Sequence, residues 1–266
     1  MNLINDVFKH QKSVFITYLV CGDPDINSSL KIMHSMVENG VDLIELGIPF
    51  TDPIADGPVI QKGIERALKN KVSLLDVLNL VSKFREKNKK TPIVLMGYMN
   101  PIENMGYRKF SSLAKLKGVD GLLIVDLPPE EASSINQELS KNKLCQIFLA
   151  SPTTEDKRLK AIANYSSGYL YYVSLKGITG SSLISYKPIK KRISQIRKLS
   201  NNKIPVTVGF GIKTPEAARK ISMFSDGIII GSSIVELIEK HRKNKTLMFK
   251  KIASFIKSIK SSLVKS

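Results

Sequence analysis

The chain has 266 residues, 42% of them hydrophobic, enough to bury the core of one large α/β domain or two small ones. Its formal net charge of +18, from 41 Lys+Arg against 23 Asp+Glu, raises the question of nucleic-acid binding. The lysines are spread over helical segments such as "SKFREKNKK" (82–90), with no basic stripe between aromatics and no nucleic-acid motif, so a solvated lysine-rich surface is expected instead. No apolar run reaches the roughly 20 residues that cross a membrane. "MNLINDVFKHQKS" lacks the apolar region of a secretory signal. Cys21 and Cys145 lie in or beside strand-like runs and read as reduced core thiols, and no Cys/His cluster points to zinc, so a cytoplasmic protein is expected.

The first strand-like run is "SVFITYLV" (13–20). "SSLKIMHSMVENG" (28–40) follows as an amphipathic helix, with Leu30, Met33, Met36 and Val37 on one face and Gly40 as C-cap. "VDLIELGI" (41–48) is the second strand, and the loop "TDPIADGP" leaves it. "VSLLDVLNLVSKFREK" (72–87) predicts a helix capped by Ser73. "TPIVLMGY" (91–98) is the third strand, and the segment to Tyr107 supplies pocket wall and a helix start. "DGLLIVDL" (120–127) leads into "PPEEASSINQELSKN" (128–142), whose prolines and acids favour a helix start. "LCQIFLAS" (144–151), "GYLYYVSL" (168–175), "IPVTVGFG" (204–211) and "DGIIIGSS" (226–233) complete the strands. Helices are expected over "TPEAARKISMF" (214–224), from Ser232 to Glu239, and from about Leu247.

Eight short strands alternating with helices predict an α/β fold, a (β/α)8 TIM barrel forming one domain over residues 1–266, with an extra N-terminal helix. The competitor is an open doubly wound sheet. The dinucleotide fingerprint is missing, because Gly209 and Gly211 are followed by Thr214 where a third glycine belongs. No internal repeat is visible beyond the β/α alternation.

Barrels bind ligands at the C-terminal ends of their strands. Alternation puts Leu43, Glu45 and Gly47 on one face of the second strand and Ile44, Leu46 and Ile48 on the other. A carboxylate in an apolar mouth has a raised pKa, which suits a group that gives and takes a proton near neutrality. A strand glutamate held by a neighbouring Lys, Arg or amide is the equal alternative. Asp56 lies in the turn just beyond; Asp there alone reads as an Asx cap, but with Glu45 it could converge on one pocket. Three glycine segments, "KGITGSS" (176–182), "VGFGI" (208–212) and "IIIGSSIVE" (228–236), stand at the ends of strands six, seven and eight, where free amides and a helix N-terminus make an anion site. His10, His34 and His241 fall on helical or terminal segments, and Asp126 either reaches the pocket or holds the second loop.

Seven motifs together resemble the tryptophan synthase alpha chain family: "YLVCGDPD" (18–25), "ELGIPFTDPIADGPVIQ" (45–61), "LMGYMNPI" (95–102), "GLLIVDLPPEE" (121–131), "GITG" (177–180), "VGFGI" and "IIGSSIVE" (229–236). They run in family order over nearly the whole chain, and the block from Glu45 is the most specific. The resemblance implies a lyase that cleaves indole-3-glycerol phosphate by retro-aldol chemistry into indole and glyceraldehyde 3-phosphate in tryptophan biosynthesis. Glu45 would then be the acid–base group and Asp56 the carboxylate receiving the indole N–H. Tyr18, Met96, Tyr98, Tyr171 and Thr179 would line the substrate, with Gly180, Gly209, Gly211, Gly231 and Ser232 on its phosphate. The resemblance implies no metal and no cofactor in this chain, and a beta chain partner carrying pyridoxal phosphate in an alpha2-beta2 complex. The Thr51–Pro58 loop would face that partner. An alternative keeps the barrel weakly active and makes activation of the beta chain its main role. Another phosphate-binding barrel would need a different acid–base set, such as a strand-end lysine, which is not found. The chain departs from the family at Leu175 and Lys176, where arginine often stands; a lysine lacks arginine's planar fork.

Overall fold

The computed structural model describes residues 2–174, 186–209 and 211–263. Eight parallel strands close in sequence order into a barrel: β1 (Val14–Val20), β2 (Leu43–Gly47), β3 (Ile93–Gly97), β4 (Gly121–Ile124), β5 (Cys145–Ala150), β6 (Leu170–Val173), β7 (Val206–Gly209) and β8 (Gly227–Ile230). Closure is made by β1 against β8, with Thr17 opposite Ile230. The closed barrel excludes the open-sheet alternative. Each strand is shorter than the apolar run that announced it, because the run continues into loop backbone at one or both ends.

The described helices are α1 (Leu3–His10), α2 (Ile26–Glu38), α3 (Pro58–Lys69), α4 (Leu74–Lys87), α5 (Met99–Met105), α6 (Tyr107–Lys117), α7 (Ser133–Lys141), α8 (Asp156–Tyr165), α9 (Lys187–Leu199), α10 (Pro215–Ser222), α11 (Ser232–His241) and α12 (Lys245–Ser262). α4 begins where the sequence predicts, closed by a Ser73–Asp76 capping box. α2 begins earlier than expected because Asp25 accepts from the Ser28 amide at 2.8 Å. It also ends earlier: Asn39 is the C-cap, and Gly40 follows at φ +101. The helix expected over 128–142 is divided. Pro129–Glu131 form a 3-10 turn, and α7 starts only at Ser133.

Strand alternation divides the interior into two layers. Inside the barrel lie Val14, Ile16, Leu43, Val94, Leu123 and Ile147. Phe15, Ile44, Leu46 and Leu122 point outward against the helices. The extra helix α1 plugs the N-terminal end: Ile4 is fully buried in the inner layer, and the Asn2 amide donates to the carbonyls of Asp120 and Lys143.

A repeated brace ties each odd strand to the next even one at this end. The backbone N–H of Phe15, Ile93, Gln146 and Val206 donates to the side chain of Asp42, Asp120, Ser167 and Asp226, at 2.7–2.9 Å. The three aspartates also pair with a helix cation: Lys260 on α12, Arg85 on α4 and Arg197 on α9. This is an internal repeat with a period of two β/α units. Cys21 and Cys145 are free and buried, and burial pushes the Cys145 thiol up to about 11.

Candidate active site

Glu45 is the third residue of β2, so it shares the inward face with Leu43 and is completely buried. The Tyr169 hydroxyl, just before β6 across the barrel, donates to Glu45 Oε1 at 2.5 Å. Glu45 Oε2 has no partner among the described residues. Burial pushes the Glu45 carboxyl up to about 8, opposed by the Tyr169 hydrogen bond. Among the described residues no lysine, arginine or amide contacts it.

Asp56 sits in the loop after β2. The Tyr98 hydroxyl donates to its Oδ2 at 2.7 Å and accepts from the Ala55 amide at 3.0 Å. The Tyr98 ring stacks on Phe50, 5.2 Å between centroids, so one side chain holds both ends of the turn. Gln61, in the first turn of α3, donates to the Asp56 carbonyl. Burial raises the Asp56 pKa, and the Tyr98 hydrogen bond partly offsets that. Both carboxylates act on the Tyr18 and Tyr171 phenols, whose pKa values burial first, and then these charges, hold well above the ordinary value.

Two glycines make room for those phenols. A Cβ on Gly47 would lie 2.3 Å from the Tyr18 hydroxyl oxygen, and one on Gly209 would lie 2.2 Å from that of Tyr171. Gly209, expected at the phosphate, therefore has a steric duty toward Tyr171. Met96 lies opposite Gly47 in register and packs against the inner layer. Beyond β7, Gly211 adopts φ +76, a left-handed conformation that favours glycine. Gly231 precedes Ser232 at the start of α11, which has no side-chain cap. Ser233 Oγ donates to the Ile212 carbonyl at 3.4 Å, joining the loops after β7 and β8. Thr179, Gly180, Leu175 and Lys176 lie outside the described residues.

Asp126 lies near enough to Tyr98 to act on its phenol electrostatically. It accepts from the Met99 amide at 2.9 Å and so fixes the start of α5. His10 ends α1, His34 stacks on Phe84 between α2 and α4, and His241 ends α11.

Sequence reasoning missed three groups. Tyr169 carried a signal: it stands two residues before Tyr171, hence on the same inward face of β6. Phe50 carried none. Asp23, fully buried after β1, has both oxygens held by Arg66 of α3 at 2.7 and 2.8 Å. That fork ties the first loop to the helix that follows the Asp56 turn.

A closed (β/α)8 barrel with a buried glutamate of raised pKa inside its mouth and a second carboxylate in the turn above has the layout of a barrel enzyme. A family model described as tryptophan synthase alpha chain matches residues 4–264. The chain is 48% identical over 243 residues to the tryptophan synthase alpha chain of Nitrosomonas europaea, covering 90% of this chain and 88% of that one. The crystal structure of tryptophan synthase subunit alpha from Legionella pneumophila superposes with a TM-score of 0.91 at 39% identity, covering 99% and 98% of the two chains. A structure titled as the basis of mutual activation of the tryptophan synthase α2β2 complex from Pyrococcus furiosus gives a TM-score of 0.85 at 36% identity, covering 94% and 98%. This chain belongs to the tryptophan synthase alpha chain family, a family of lyases.

Proposed function

We propose that this chain cleaves indole-3-glycerol phosphate to indole and glyceraldehyde 3-phosphate, with Glu45 as the acid–base group and Asp56 as the partner of the ring nitrogen. The observation that carries the reading is the Glu45 carboxyl: inside the barrel, one oxygen on Tyr169, the other unpartnered among the described residues, and a pKa near 8. A group with that pKa exchanges protons readily near neutrality.

The reaction needs one proton placed and one removed. A proton added to the ring carbon bearing the side chain puts positive charge on the ring nitrogen. Asp56, ionised, accepts that N–H and stabilises the charge. The chain hydroxyl next to the ring then gives up its proton. Its O–H electrons become the aldehyde C=O, and the electrons of the breaking C–C bond return to the ring. Protons gained and lost balance, so a single carboxyl can serve both transfers. Met96, Tyr98, Tyr171 and Thr179 line the ring side. Gly180, Gly209, Gly211, Gly231 and Ser232 serve the phosphate, supported by the uncapped N-terminus of α11 and the left-handed backbone at Gly211.

We assign the partner as a tryptophan synthase beta chain in an α2β2 complex, and pyridoxal phosphate chemistry to that partner. The Pyrococcus furiosus assembly supports this reading. The test is an assay for indole release from indole-3-glycerol phosphate, with and without the beta chain. Release that rises with the partner is expected. Beta-chain activation without release under either condition would leave only the activator role.

A further inference from the structure

Tyr18 has a polar end that the lining role does not use. Its ring rises from β1 on the inward face, with Cβ, Cδ1 and Cγ 3.0–3.4 Å from where a Cβ on Gly231 would stand. Its hydroxyl ends over Gly47 of β2, two residues beyond Glu45. The side chain thus runs from the start of α11, beside Ser232, to the strand that carries the acid–base group. Two other phenols near the carboxylates are spent, Tyr169 donating to Glu45 and Tyr98 to Asp56, whereas the Tyr171 hydroxyl lies over Gly209 of β7, on the other side of the mouth from β1 and β2. The Tyr18 hydroxyl forms no such bond among the described residues, although Asp56, Tyr98 and Glu45 all act on it electrostatically.

We propose, resting on the function above, that the Tyr18 hydroxyl is a further substrate-contacting group, hydrogen-bonding a hydroxyl of the three-carbon chain that joins the ring to the phosphate. A ligand with its phosphate at Ser232 and its ring beneath Asp56 must lay that chain along Tyr18. The chain is the only hydroxylated part of the substrate, and a phenol meets it as donor or acceptor. Burial keeps the phenol protonated at neutral pH, so it donates without changing charge. Packing on Gly47 and Gly231 fixes its direction beforehand, which reduces the entropy lost on binding.

The test is Tyr18→Phe, which keeps the ring and its packing on Gly231. Two readouts are compared with wild type: kcat/KM for indole-3-glycerol phosphate, and Kd for an indolyl alkyl phosphate of equal length without chain hydroxyls. The expected result is a loss of about 10-fold in kcat/KM, with Kd for the deoxy ligand unchanged. Equal losses on both would reduce Tyr18 to ring packing, and no loss on either would remove its hydroxyl from recognition; both overturn the proposal. An inactive wild type would instead sink the lyase reading itself.

Discussion

Two sets of acids, one at each end of the barrel, are partnered in opposite ways. At the N-terminal end Asp42, Asp120 and Asp226 each hold a strand amide and a helix cation. At the C-terminal end Glu45 and Asp56 each hold one phenol and, among the described contacts, no cation. Carboxylates of the first kind are satisfied as anions and knit secondary structure together. Those of the second kind are under-satisfied as anions, and burial lifts their pKa; in the function proposed above Glu45 carries the protons and Asp56 keeps its charge. Asp23, after β1, shows that partnering rather than position divides the two kinds: it stands at the C-terminal end, yet Arg66 holds both of its oxygens.

The sharpest way to test this contrast is Glu45→Gln. Indole release should fall at least about 1000-fold, near 4 kcal/mol of transition-state stabilisation, with the fold kept. The same substitution has a pH signature. Folded Glu45 holds its proton up to about 8, whereas the unfolded side chain loses it near 4.5. Between those values the native state binds the extra proton, so stability falls as pH rises through the window. Urea midpoints measured from pH 5 to 9 should decline less in the glutamine variant.

Asp120→Ala attacks the other end and should cost about 3 kcal/mol of stability, because it orphans the Ile93 amide and leaves the largely buried Arg85 without its counter-charge, held by backbone carbonyls alone. Asp42→Ala and Asp226→Ala should cost less, since Lys260 and Arg197 are about one third exposed and can return to water. Turnover per folded molecule should stay near wild type in all three; a large loss of turnover would erase the division between the ends. Asp56→Asn keeps the shape of the turn but removes its charge, and should lower turnover about 100-fold.

Tyr98→Phe is the gentlest probe. It keeps the stack on Phe50 but frees Asp56 and the Ala55 amide. A loss of about 10-fold is expected. The hydroxyl lowers the Asp56 pKa, so its removal should shift the acid limb of the kcat/KM profile to higher pH. An unmoved limb would mean that Asp56 does not need its charge.

Much of this was legible in the residues. Alternation in "VDLIELGI" put Glu45 inside with Leu43, and capping chemistry placed the start of α4 at Leu74. The braces left a trace as well, an Asp before three of the four even strands in "VDLI", "VDGLL" and "SDGII". Their function was not legible, because the amide each one accepts belongs to a strand 20–27 residues earlier. Asp126 illustrates the same limit: its turn marked it as a hydrogen-bonding acid, but only the packing of α5 supplied the amide it holds.

By itself the sequence determined the alternation of strands and helices, the face on which each strand residue lies, and the turn that carries Asp56, since these follow from periodicity and local backbone chemistry. Tertiary structure alone decided which phenol meets which carboxylate. Tyr169 reaches Glu45 across 124 positions of chain, and Tyr98 reaches Asp56 across 42. Such pairs exist only once barrel closure sets the strand register, and that register is a property of all eight strands together.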